Sequence, residues 1–214
     1  VPSTPRRKQA QRPSPEPATP TAPLRVAFVP GATPDKWARA WRDRSPVRLV
    51  LVPVEEEEQR AVLDDGRADM VLARLPIGGQ DADLFCIPLY EELPVVVVGL
   101  DHPASVLDEL TAADLAEEQF VLGPPVGLEP AVDQLDFPPM TPREAVEVAA
   151  SGTGVVVLPM SVARLHHRKD VVHRVVTDLP TTRMALAWHR DRDDETTQAF
   201  VGVVRGRTAR SSRG

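Results

Sequence analysis

The chain has 214 residues, 42% of them hydrophobic, enough for one large domain or two small lobes and too apolar for wholesale disorder. One cysteine, Cys86, excludes an internal disulfide. No stretch approaches the ~20 apolar residues of a membrane span and no secretory pattern is visible, so a cytoplasmic protein is expected.

Residues 1–23 combine Pro, Ser, Thr, Ala and Arg with almost no large apolar side chains and are expected to form a disordered tail, as is 206–214. Leu24–Val29 reads as a strand and Pro30-Gly31-Ala32 as a turn. Thr33 is placed to cap a helix with Pro34 at its first position. Trp37 and Trp41 share one face of that helix, for core or interface packing. Val47–Val54 reads as a second strand. Glu55–Glu58 opens a helix running through Leu63 and stopped by Gly66, and Asp69–Ala73 is a third, buried strand. This β-α-β-α-β order predicts a parallel sheet with right-handed crossovers.

Further along, Phe85–Leu89 reads as a short strand with Cys86 as a buried, inert thiol, and Leu93–Gly99 as a longer, fully apolar one. Thr111–Asp114 reads as a capped short helix and Phe120–Leu122 as a strand. A Gly- and Pro-rich loop follows, from Gly123 to Pro139. Thr141-Pro142-Arg143-Glu144 is a capping box opening a helix that ends at Gly152. Strand Val155–Leu158, helix Ser161–His166, strands near Val171–Val176 and Met184–Trp188, and a helix over Thr196–Arg205 complete the chain.

The net charge is −6, but residues 1–23 carry +3 and 205–214 carry +4, which leaves −13 on 24–204. An acidic body repels nucleic-acid phosphates, so direct specific DNA binding by this chain alone is not expected, and the basic ends read as solubilising tails. His166 and His167 are adjacent and diverge by about 100° on a helix, a poor geometry for chelating one ion with His173. Ser151-Gly152-Thr153-Gly154 lacks the strand before it and the lysine after it that a phosphate loop needs. His189 has no evident nucleophile partner and there is no Gly-x-Ser-x-Gly elbow. No catalytic set, metal or cofactor is therefore expected, and the chain does not read as an enzyme.

Five segments, in order, carry a resemblance. They are Leu24-Arg25-Val26; Leu63-Asp64-Asp65-Gly66-Arg67-Ala68-Asp69; Pro88-Leu89-Tyr90-Glu91-Glu92 with Val95–Val98 and His102-Pro103; Leu110-Thr111-Ala112-Ala113-Asp114-Leu115; and Ala149–Ala163, with its Ser151-Gly152-Thr153-Gly154 turn and buried valines. Together they resemble the effector-binding domain of LysR-type transcription regulators. That resemblance implies an α/β, two-lobed, type 2 periplasmic-binding-protein-like fold with two Rossmann-like subdomains joined by crossover strands. One lobe would take about 24–91 and 163–205, the other about 92–162. It implies a small-molecule effector in the cleft and a side-by-side antiparallel homodimer, with Trp37 and Trp41 near its surface. The winged helix-turn-helix of such regulators is not among these residues, so a partner regulator protein or another subunit is expected to carry the output. A solute-binding receptor, a protein-interaction module or an enzyme on the same fold are the alternatives.

The resemblance and the habit of open α/β sheets to bind ligands beyond strand carboxyl ends place the candidate contacts. Gly31, Ala32 and Thr33 follow the first strand and offer backbone N–H groups and a hydroxyl, although Thr33 would serve equally as a plain cap. Glu55 stands beside Val54 where family members often carry a hydroxyl, which weighs against a small dianionic effector. Arg74, with Leu75 and Pro76, follows the third strand and serves either as a ligand clamp or as the partner of a protein carboxylate. Tyr90 is placed at the hinge, and Gly123, Pro124 and Thr141 would face the cleft from the second lobe. Arg74 and the helix N-termini together lean towards an anionic effector.

Overall fold

The computed structural model describes residues 22–78 and 83–206. The expected tails lie almost wholly outside those residues. Among the described residues no helix is long and apolar enough to cross a membrane.

The first sheet is laid down by β1 (Leu24–Phe28), β2 (Leu49–Pro53) and β3 (Met70–Arg74), all parallel, with β1 in the middle. Two further strands, β4 (Leu84–Glu92) and β9 (Thr182–His189), extend it antiparallel, in the order β2-β1-β3-β9-β4. The second sheet contains β5 (Pro94–Gly99), β6 (Glu109–Leu110), β7 (Val156–Pro159) and β8 (Val171–Val176), in the order β6-β8-β5-β7. Only Leu93 separates β4 from β5, so the chain passes from one sheet to the other there, and it returns between β8 and β9. The division of lobes expected at residue 163 moves accordingly. Val171–Val176 pairs with β5 across Val95–Gly99 and belongs to the second sheet. Its burial, deep at Val171 and Val176 and partial between them, shows no alternation that would assign it to either sheet, and only the pairing partner decides.

The four valines Val95–Val98 are all buried. Side chains alternate across a strand, so Val95 and Val97 enter one apolar cluster, with α3 (Pro142–Ala150) and α4 (Met160–Leu165). Val96 and Val98 enter another on the opposite face, with Leu110, Leu115 and Phe120. In the first sheet, α1 (Asp35–Arg42) packs on α5 (Glu195–Val204) through an edge-on contact of Trp41 with Phe200, ring centres 5.6 Å apart. Trp41 also donates its indole N–H to Val47 O at 2.7 Å. Trp37 and Trp41 are both buried within the chain, so of the core and interface packing open to these rings the core role is filled.

Two of the sequence signatures acquire physical reasons. In Leu63–Asp69, the Asp69 carboxylate takes the backbone N–H of Arg25 at 2.8 Å and its guanidinium at 2.7 and 3.2 Å, while Gly66 O accepts from Arg25 Nη1 at 2.6 Å. Burial pushes the Asp69 carboxyl up, but the bonds from Arg25 outweigh it and hold the group below its ordinary value. The passage therefore pins the start of β3 to the start of β1. In Ser151–Gly154, a Cβ on Gly154 would come within 2.6 Å of Gln119 O, so this position admits no side chain without backbone movement.

Several local expectations shift. The acidic run forms only a 3₁₀ turn (Glu56–Glu58), followed by the short α2 (Ala61–Asp64). Gln59, between them, turns inward, its Oε1 accepting from Arg74 N and its Nε2 donating to Arg74 O, both at 2.9 Å. Thr33 does not cap α1: the helix starts at Asp35 with Pro34 in the cap position and no side-chain capping bond. Thr111 and Asp114 bracket a 3₁₀ turn rather than a helix. Phe120–Leu122 is reduced to one bridge, Phe120 to Val155, and on the other edge Gln134 Oε1 accepts from Phe120 N at 2.9 Å. Cys86 is exposed, not buried: β4 is an edge strand, and Cys86, Pro88 and Tyr90 lie on its outward face.

The capping box of α3 is present. Glu144 Oε2 accepts from Thr141 N at 2.7 Å and Thr141 Oγ1 accepts from Glu144 N at 3.3 Å. Replacing Thr141 by Ala is expected to lower stability by about 1 kcal/mol, the usual worth of such a cap, in a urea melt. A loss below about 0.3 kcal/mol would show that α3 is held by packing alone.

Candidate functional site

A cleft of about 1140 Å³ opens where the carboxyl ends of β1 and β2 meet the second sheet's α4. Gly31, Ala32 and Thr33 line it after β1, Val54 and Glu55 after β2, and Tyr90 to Leu93 at the passage between sheets. Met160, Ser161, Arg164 and Leu165 face them from α4. Helix α4 starts directly after Pro159 at the end of β7, and this brings its first residues beside Gly31.

The walls are largely apolar: Phe28, Trp37, Val54, Leu93, Met160 and Leu165. The charged groups are Lys36 and Arg164 against Glu55, Glu58, Glu91 and Glu92. Three of the four acids already have arginine partners: Glu58 with Arg67 (3.3 Å), Glu91 with Arg183 (3.1 Å) and Glu92 with Arg74 (3.0 Å). Among the described residues, no ion pair engages Lys36, Arg164 or Glu55. The Lys36 ammonium sits 4.4 Å over the Trp37 ring, a cation–π contact that holds it at the cleft wall. Burial, then the Glu92 charge, pushes the Tyr90 hydroxyl up, so it stays a protonated donor at neutral pH.

The sequence-placed contacts divide. Gly31, Ala32, Thr33, Glu55 and Tyr90 are brought together. Arg74 lies beneath the cleft and does not line it. Its guanidinium donates to Glu92 Oε2 from Nε (3.2 Å) and Nη2 (3.0 Å), to Glu56 Oε2 (2.5 Å) and to Pro30 O (3.1 Å), with Ser161 Oγ at 3.4 Å. Of the two roles open to it, the protein-carboxylate role is the one filled. Leu75 and Pro76 are drawn towards the sheet, Leu75 N–H donating to Arg183 O at 2.8 Å and Pro76 O accepting from Gln59. Gly123 and Pro124 form an exposed turn, and Thr141 is occupied with its capping box; none of them reaches the cleft.

Lys36, Ser161, Arg164 and Met160 line the cleft and were not among the sequence-placed contacts. The signal for the first was its place in the first turn of α1, three residues after Thr33. For Arg164 it was the i, i+3 spacing from Ser161, which puts both on one helix face.

A two-sheet α/β fold with its cleft at strand carboxyl ends is an arrangement that α/β folds use to bind ligands. The comparisons specify the family. Residues 17–209 match the LysR substrate binding domain, and the chain belongs to that family. The Hca operon transcriptional activator HcaR of Escherichia coli is 27% identical over 203 residues, covering 87% of this chain and 68% of HcaR. Among solved structures, the BenM effector binding domain with its effector benzoate superposes with a TM-score of 0.71 at 19% identity, covering 89% of this chain and 96% of that one. The reduced OxyR regulatory domain from Pseudomonas aeruginosa gives 0.64 at 23% identity, covering 86% and 96%. These relatives are transcription regulators or their effector-binding domains, not enzymes.

Proposed function

We propose that this domain senses a small organic carboxylate, held in the cleft between its two sheets, and passes its presence to transcription as part of an oligomeric cytoplasmic regulator. The observation that carries this reading is the makeup of the cleft. Aromatic and aliphatic walls enclose a volume of the order that small-molecule sites use, and two cations, Lys36 and Arg164, have no carboxylate bound to them among the described residues. An apolar body would lie against Phe28, Trp37 and Met160, with its carboxylate towards Arg164 and the backbone N–H groups of Gly31 and Thr33, the Ala32 N–H being taken by Val29 O. That BenM is described with benzoate supports the same ligand chemistry.

The test is thermal unfolding with and without aromatic and aliphatic monocarboxylates, benzoate included. A ligand at about 100 times its Kd stabilises by about 2.7 kcal/mol, a rise in Tm of roughly 5–10 °C for a chain this size. Arg164→Ala is expected to abolish that rise while leaving the unliganded Tm in place, because Arg164 is exposed. No rise with any carboxylate, or an undiminished rise in the variant, would overturn the reading.

A further inference from the structure

We propose that the effector is zwitterionic, a compound with an apolar body that carries a carboxylate at one end and an ammonium group at the other, the ammonium being read by Glu55. The inference rests on the cleft being the effector site and adds the second charge.

Glu55 is the residue that separates this cleft from a simple anion site. It follows β2 with extended backbone (φ −70°, ψ 157°), heads the 3₁₀ turn without making a side-chain capping bond, and lines the cleft. The other three glutamates of the lining are matched by Arg67, Arg183 and Arg74. The titratable groups that face Glu55 do not neutralise it. From the end of α4, His166 is within its electrostatic reach, but burial, and then the charge of Arg143, hold that imidazole below its ordinary value, so it is neutral at pH 7. On its own turn the neighbours are Glu56, Glu57 and Glu58, all of one sign. In the same lining, Lys36 and Arg164 lack carboxylate partners among the described residues.

The lining of one apolar cavity therefore carries one carboxylate and two cations that have no ion-pair partner among the described residues. A pure anion would satisfy the cations and meet repulsion from Glu55; a dianion would meet more. A ligand with one charge of each sign satisfies both ends, and the gain is largest where walls such as Phe28, Trp37 and Met160 exclude water.

Three probes built on one ring isolate the second charge: benzoate, 3-(aminomethyl)benzoate and benzylamine, titrated calorimetrically into the whole chain. The zwitterion is expected to bind at least tenfold more tightly than benzoate, and benzylamine more weakly than the zwitterion. Glu55→Gln is expected to move the two acids in opposite directions, weakening the zwitterion about tenfold and tightening benzoate severalfold. A misfolded variant would weaken both, so the crossing is diagnostic, and Glu55 is exposed, with little to lose in folding. Equal binding of benzoate and the zwitterion, with their ratio unmoved by Glu55→Gln, would overturn the second charge and leave the carboxylate reading standing. Binding of benzylamine alone, or of none of the three probes, would overturn both.

Discussion

Arg74→Met is expected to destabilise the domain by about 3–5 kcal/mol. The Arg74 and Glu92 side chains are 3% and 5% exposed, and their 3.0 Å pair sits where the chain leaves the first sheet. Removing the guanidinium strands the Glu92 carboxylate in the interior and withdraws donors from Pro30 O and Ser161. Glu56, at 45% exposed, contributes less, because water can take over its side of the pair. The informative partner is the double variant Arg74→Met/Glu92→Leu. An apolar pair in place of a buried ion pair is often close to neutral, so the double variant should recover most of the loss. Urea melts of the three proteins decide it. If Arg74→Met costs less than about 1 kcal/mol, the network is not what secures this corner. If the double variant is no better than the single one, the bonds to Pro30 and Ser161 matter more than the ion pair.

Gly31→Ala is the second large effect, expected at about 2–4 kcal/mol from two sources. The backbone sits at φ +85°, which costs an alanine about 1–2 kcal/mol. The new Cβ would also stand 2.2 Å from Ser161 Oγ and 2.9 Å from its Cβ, so α4 and the turn after β1 must part. Ser161 belongs to the opposite wall, so the substitution should also weaken carboxylate binding at temperatures where the protein remains folded. Adding Ser161→Gly removes the two nearest atoms and should restore most of the steric part, leaving the backbone part and a tight 3.1 Å approach to the carbonyl carbon of residue 161. Calorimetric melts of the single and double variants separate the two. A double variant as unstable as the single one would place the whole cost in the backbone and deny the close approach.

The elements with strong local codes were legible from the sequence. The capping box at Thr141, the valine run of β5 and the β-α-β opening specify structure through neighbours in sequence, and the structure contains each of them. The misplaced elements depend on partners far along the chain. Whether Val171–Val176 joins one sheet or the other is decided by β5, more than seventy residues earlier, and the outer edge of Phe120 is met by a glutamine side chain that no periodicity announces. The burial of Cys86 failed for a related reason: an apolar run looks alike on a central and an edge strand, and only sheet order tells them apart. The site divided along similar lines. Positions after β1 and β2 were reachable because parallel strand ends converge. Arg74 was not assignable, since its partners Glu56 and Glu92 lie 18 residues to either side and nothing local distinguishes a protein carboxylate from a ligand's. Arg164 was overlooked because it sits in a short helix whose position beside Gly31 follows only from the return of the chain to the cleft.

The valine strand has a further meaning for how this protein is made. Strand β5 touches a separate apolar cluster on each face, and its hydrogen-bonding neighbours, β7 and β8, begin at Val156 and Val171. On the ribosome, therefore, a charge-free, strongly β-prone segment emerges well before the residues that will cover it. Pro94, which has no N–H to donate, and Asp101, just beyond the strand, flank the run as natural breaks against pairing with another nascent chain. Synthesis of this domain thus has an exposed interval, which begins to close when the turn through Gly152 and Gly154 delivers β7 alongside one edge and ends when β8 covers the other.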